Sequence, residues 1–234
     1  MRYLITAILI LQPFAIRLNA QDARTDIEKI NKVYSRERYM LELEYKVFEY
    51  FSAEQPMQVE DGVVKKDGDH LYYKLGPVES IQQKEYSVVA DHDDKIIALL
   101  PREYNATDGK PFLPAQLDSL QKFCRKIDYQ PVNAALSSYA FHFTGSQYEV
   151  VKVSFNPRNH QISKIELFYK EPVNLKEEEG APERQPKMEI IYKKFDINPS
   201  FAAEQFNYNY FLVKEGKDYK PKPIYKDYTV VTQL

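Results

Sequence analysis

Four histidines, one cysteine and a single dense acid–imidazole run are the residues of this chain with types suited to chemistry. The histidines are His70, His92, His142 and His160; none pairs with another at i, i+4, and none adjoins the cysteine, so the spacings that hold zinc are missing. Asp91-His92-Asp93-Asp94 gathers oxygen atoms of the kind hard cations take. It lacks the glycine and the distal glutamate of a calcium loop, and a polar turn between two strands accounts for it. Ser137-Ser138 has no Gly-x-Ser-x-Gly elbow around it and suits the entry to a turn. Cys124 falls on the apolar stripe of an expected helix, where a buried and inert thiol is the ordinary state; a nucleophilic thiolate needs an electropositive, partly exposed setting. Seven glycines, Gly62, Gly68, Gly76, Gly109, Gly145, Gly180 and Gly216, fall at expected turns and loops and never cluster to cradle a phosphate. This inventory implies no catalytic residue, no metal and no cofactor.

The elements that would position any site start after a leader. Residues 1–20, MRYLITAILILQPFAIRLNA, carry Arg2 ahead of an apolar stretch from Leu4 to Ile16, and Leu18-Asn19-Ala20 resembles a cleavage site. That stretch is too short to span a bilayer and contains Pro13, so it reads as a secretory signal. No cysteine follows Ala20, so nothing there could carry a lipid anchor, and no second segment reaches the length of a membrane span. The expectation is a periplasmic protein cleaved near Ala20. The formal net charge of −2 becomes more negative on losing Arg2 and Arg17, which argues against nucleic acid as a partner. A lone cysteine precludes an internal disulfide, which a domain of this size does not need.

Residues 22–38 read as a helix, with Thr25-x-x-Glu28 as a capping box and Ile27, Ile30 and Tyr34 on one face. The period then changes to two. In YMLELEYKVFEYF, residues 39–51, Leu41, Leu43, Tyr45 and Val47 alternate with Glu42, Glu44 and Lys46. Further strands are expected at 59–66, 69–75, 78–90 and 95–100, with a type I′ turn at Asp67-Gly68. A helix is expected at 114–128, and strands again at 138–144, 147–155, 161–170, 187–197 and 206–213. Residues 171–186 read as an exposed, mobile loop, and residues 214–234 as an extended tail. A thirteen-residue strand would run about 43 Å at ~3.3 Å per residue, and long antiparallel strands coil. The architecture implied is α+β, mainly β: a curved antiparallel sheet forming an unclosed half-barrel, with helices on its concave face. The domain would span 21–213.

The stretch GVVKKDGDHLYYKLGPVESIQQKEYSVVADHDDKIIALLP, residues 62–101, has a glycine before a strand, a strand bearing Tyr72-Tyr73, a short crossover, a strand closing on Asp91 and an apolar strand. With the preceding leader, helix and long strand, this layout resembles the periplasmic lipoprotein carriers of the LolA-like family. The resemblance implies an open barrel covered by helices, with an apolar concavity for acyl chains. No arginine occurs in 39–101 and no tryptophan anywhere, so the family's latch arginine and tryptophan-bearing strands have no counterparts there.

Two functions follow as expectations. One is a non-catalytic periplasmic carrier or binder of lipid or acylated lipoprotein, its cavity lined by Leu41, Leu43, Tyr45, Val47, Tyr73, Val89 and Ile97. The other is a cell-envelope protein-interaction module of the same fold, whose concave side is filled by its own helices and whose partner is a protein. In the first case at least one of Leu43, Tyr45 and Val47 should tolerate alanine. Export should yield a protein whose intact mass lacks residues 1–20; a secreted form retaining Met1 would contradict the leader.

Overall fold

The alternation that begins at Tyr39 becomes the longest strand of the sheet, and everything else is arranged around it. The computed structural model describes residues 18–102, 117–172, 183–202 and 204–233. Helix α1 (Leu18–Tyr34) leads into β1 (Arg38–Phe48), β2 (Gln58–Asp67), β3 (His70–Leu75), β4 (Val78–Gln82), β5 (Tyr86–Asp91) and β6 (Ile96–Pro101). A short helix α2 (Leu117–Phe123) precedes β7 (Lys126–Asn133), β8 (Leu136–His142), β9 (Tyr148–Phe155), β10 (Ile162–Tyr169) and β11 (Lys187–Asp196). The chain ends in β12 (Leu212–Glu215), β13 (Asp218–Pro221) and β14 (Thr229–Thr232), with 3-10 turns at Tyr208–Tyr210 and Pro223–Tyr225. Twelve strands form one sheet in the order β14-β6-β5-β4-β3-β2-β1-β11-β10-β9-β8-β7. Two antiparallel meanders, β1–β6 and β7–β11, meet where β1 pairs with β11, and β14 adds to β6 in parallel. The sheet curves without closing, and the helices lie on its concave side.

Several boundaries differ from those expected. The helix runs from Leu18, so Thr25 lies inside it rather than at its N-cap; of the expected signal, residues 1–17 lie outside the described residues and Leu18-Asn19-Ala20 belong to the helix, and most of the expected loop, 173–182, also lies outside the described residues. The expected strand 78–90 is two strands, broken at the polar Gln83-Lys84-Glu85. Helix α2 stops at Phe123, and residues 126–128 belong to β7, where Ile127 and Tyr129 pair with Phe141 and Tyr139. Helical spacing ran on through Cys124 and Ile127, but pairing with β8 overrides it. Pro131 is accommodated because β7 is a sheet edge. Of the expected strand 206–213, only the part from Leu212 is extended. The hairpin loop is Gly68-Asp69 rather than Asp67-Gly68: Asp67 pairs with His70, and Gly68 alone has positive φ (60°), as in a type II′ turn. Gly62 is no turn residue but lies mid-strand, where a Cβ would come within 2.8 Å of the Tyr45 ring.

Two cores lie on opposite faces of this sheet. On the concave face Ala23, Ile27, Ile30 and Tyr34 of α1 pack with Leu117 and Leu120 of α2 over Leu41, Leu43, Val151, Val153, Ile165, Leu167 and Ile190. Polar ties fix the helix: the Tyr139 hydroxyl donates to Asp26 (2.9 Å), His160 Nε2 lies 3.4 Å from the same carboxylate, and the Ile162 amide donates to the Tyr34 hydroxyl (2.9 Å). On the convex face the stretch from Phe201 to Val230 folds back over β3–β6. There Phe206, Phe211 and Leu212 cover Tyr72, Ile81, Val88, Ala90, Ile97 and Leu99. The C-terminal stretch is therefore docked against the sheet and supplies its last strand.

A buried carboxylate pins that cover. Glu79 accepts from the Tyr72 hydroxyl (2.9 Å), Lys74 Nζ (3.0 Å) and His92 Nε2 (3.1 Å), while His92 Nδ1 meets the Tyr228 hydroxyl at 2.7 Å. Burial acts to raise the Glu79 carboxyl, but the bonds from Lys74, Tyr72 and His92 outweigh it and hold it below the usual carboxylate range. A lowered folded pKa contributes stability that is present above the unfolded value and is lost as pH falls through the folded one. Acid should therefore loosen the C-terminal cover, read as a change in the near-UV tyrosine signal, and Glu79→Gln should remove that step; an unchanged acid transition in Glu79→Gln would contradict the assignment.

The cores make a second prediction. Leu43 is 1% exposed, so Leu43→Ala should cost about 2–5 kcal/mol in urea unfolding, whereas half-buried Val47→Ala should cost less than about 1.5 kcal/mol. Equal losses at both positions would show that the concave face is packed alike throughout.

Candidate apolar ligand surface on the concave face

Strand register shows which side chains share a face, because directly paired residues point the same way. One row crosses the sheet as Leu41–Val64–Tyr73–Ser80–Val89–Ala98, and its neighbour as Leu43–Gly62–Leu75–Val78–Asp91–Ile96. A third runs Tyr39–Lys66–Leu71–Gln82–Ser87–Leu100. All three lie on the concave side with α1. At the β1 end the rows are closed: Leu41, Leu43, Tyr45 and Tyr73 are buried in the helix-side core. Towards β6 they open. Leu71, Leu75, Val78, Val89, Ala98 and Leu100 are half-buried, and Ile96 is 38% exposed.

The seven residues expected from sequence are thus divided. Leu41, Leu43, Tyr45 and Tyr73 sit under the helix, Val47 and Val89 are half-buried on the same face, and Ile97 is on the other face. Ile97 pairs with Ala90, which pairs with Glu79, and it is fully buried beneath the C-terminal cover; Ala98 holds the concave position instead. Leu71, Leu75, Val78, Ala98 and Leu100 were not anticipated. Leu71 and Leu75 share the phase of Tyr73 on β3 and could have been found from it; β6 is apolar in both phases, as strands covered on both faces are, so alternation there does not say which set faces inward.

The groups suited to chemistry serve as ties between elements. His92 joins Glu79 to Tyr228, His142 meets Asp128 at 3.0 Å, and His160 meets Asp26. Asp91 accepts the amides of Asp93 and Asp94 (3.0 and 3.1 Å), closing the β5–β6 turn. The Ser137 hydroxyl bonds to that of Tyr129 (3.1 Å), and the Ser138 hydroxyl donates to the Gln130 carbonyl on the adjacent strand. Cys124 follows α2 and is half-buried instead of lying deep on its stripe; burial pushes its thiol up, away from the thiolate. A cleft of about 270 Å³ lies between the β2–β3 turn and the C-terminal cover. Its polar groups are engaged: Arg38 grips Asp67 through two bonds (2.9 and 2.8 Å), Gln83 donates to the Phe206 carbonyl, and His70 packs on Phe206.

Among the described residues no helix is long and apolar enough to cross a membrane. No protein-family model matches the chain, and no curated protein matches it in sequence. Solved structures of similar layout exist. An uncharacterised conserved protein from Thermus thermophilus aligns at TM-score 0.48 and 7% identity, covering 91% of this chain and all of that one (100%). A LolA superfamily protein from Nitrosomonas europaea aligns at 0.38 and 9%, covering 80% of this chain and 98% of that one. A domain from Vibrio parahaemolyticus described as an outer membrane lipoprotein-sorting protein aligns at 0.37 and 11%, with coverage of 80% and 98%. The functional reading rests on this chain's own residues.

Proposed function

We propose that the chain is an exported, non-catalytic binding module of the periplasm that holds an acyl chain, of a lipid or an acylated lipoprotein, along the concave face of β3–β6. The observation that carries this reading is the change along the three rows, from fully packed at β1 to β4–β6, where Val78, Val89, Ala98 and Leu100 are half-buried and Ile96 is exposed among the polar Ser80, Gln82, Ser87 and Asp91. An extended acyl chain transfers about 0.8 kcal/mol per buried methylene, so a strip two or three strands wide is enough to hold one without any catalytic group. The second reading, a protein-interaction module of the cell envelope, draws on the burial of Leu41 and Leu43 by the protein's own helix, which closes that part of the face to cargo.

A fluorescent acyl probe separates the two. Wild type should bind it, and Val89→Asp or Ala98→Asp, each checked for folding by circular dichroism, should weaken binding about tenfold or more by setting a charge against the chain. Glu44→Ala, on the convex face, should leave affinity unchanged. No binding by wild type, or retained binding in both aspartate variants, would discard the acyl reading in favour of the protein partner.

A further inference from the structure

Most buried polar groups of the sheet are paired, on the concave side too, where the Tyr139 hydroxyl bonds to Asp26 and that of Ser137 to Tyr129. On the convex side Glu79 is fully engaged by Tyr72, Lys74 and His92. On the concave side three buried hydroxyls, those of Tyr45, Ser80 and Tyr192, have no partner among the described residues. A buried hydroxyl left unpaired costs about 1–3 kcal/mol, and native folds rarely keep one without a role. Tyr45 and Tyr192 lie in or against the helix-side core. Ser80 is different: it is 1% exposed yet lies in the row Tyr73–Ser80–Val89–Ala98, on the floor of the half-open strip.

We infer that Ser80 is the polar contact of this surface, donating its hydroxyl proton to the ester carbonyl oxygen of an acyl ligand. The inference rests on the acyl-binding reading above. Its surroundings suit such a ligand and orient it. Two residues further along β4 on the same face is Gln82, paired with Ser87, and both are half-buried beside the β4–β5 turn. In the other direction the face continues into Val78 and Leu75, while Asp91 separates Val78 from Ile96 and turns its carboxylate to the Asp93 and Asp94 amides. An ester carbonyl at Ser80 thus places the polar end of the ligand towards Gln82 and Ser87 and its hydrocarbon towards Val78 and Leu75. Ser80 is a specificity residue here: it distinguishes an ester from a plain hydrocarbon of the same length.

Displacement of the fluorescent acyl probe by methyl laurate and by tetradecane tests this. Ser80→Ala removes a hydroxyl with no protein partner, so its urea midpoint should equal or exceed that of wild type. Its affinity for methyl laurate should fall about two- to tenfold, the worth of one neutral hydrogen bond, while that for tetradecane stays unchanged. Methyl laurate binding that is unaltered, or altered in step with tetradecane, would overturn the inference and leave Ser80 holding a water molecule only. A wild-type protein that binds neither compound nor the probe would overturn the acyl reading itself, and this inference with it.

Discussion

A helix is narrower than the sheet it must cover. Twelve strands spaced about 4.8 Å apart span more than 50 Å, whereas an α-helix with its side chains is about 10–12 Å across. Helices α1 and α2 shield part of that width, and the packed core falls where they lie, over β1–β3 and β8–β11. The remaining apolar surface needs other solutions, and the two faces of β3–β6 adopt different ones.

On the convex face the solution is part of the chain itself. The stretch beyond β11 returns across β3–β6 with an aromatic set, Phe201, Phe206, Tyr208, Tyr210, Phe211, Tyr219, Tyr225 and Tyr228, whose rings meet edge to face or tilted. Tyrosine suits this task because its ring buries apolar area while its hydroxyl reaches a polar partner. That accounts for much of the unusual abundance of tyrosine in a chain without tryptophan. Farther along, the convex face of β1 and β11 carries paired charges such as Lys193 with Glu44 (2.7 Å) and Lys194 with Glu42 (3.1 Å), which leave it to water. On the concave face of β4–β6, Val78, Val89, Ala98 and Leu100 are half-buried and Ile96 is exposed.

The fold was legible wherever one face of an element is polar. β1 declares its phase because Glu42, Glu44 and Lys46 alternate with Leu41, Leu43 and Tyr45, and α1 declares its buried stripe through Ile27, Ile30 and Tyr34. β6 declares nothing: Ile96-Ile97-Ala98-Leu99-Leu100 is apolar in both phases because Ile97 and Leu99 lie under the C-terminal cover while Ala98 and Leu100 face the concavity. Ile97 therefore lies on the face opposite to that expected, whereas Val89, on β5, lies on the concave side as expected. Residues 214–234 read as an extended tail because their tyrosines are spaced among lysines and prolines without a period; the stretch packs through turns rather than through a repeating face. The half of the concave face that sequence assigned to cargo is the half the helix fills, since alternation reveals that a face is sheltered but not by what.

On the proposal above, the concave face of β3–β6 is ligand surface and the convex face is core. Methyl NMR on protein labelled at isoleucine, leucine and valine, titrated with methyl laurate, addresses both faces in one experiment. The account predicts shifts at Val78, Val89 and Leu100, with Ile81, Ile97 and Leu99 unmoved. Shifts confined to the convex set, or no shifts at any ligand concentration, would contradict it.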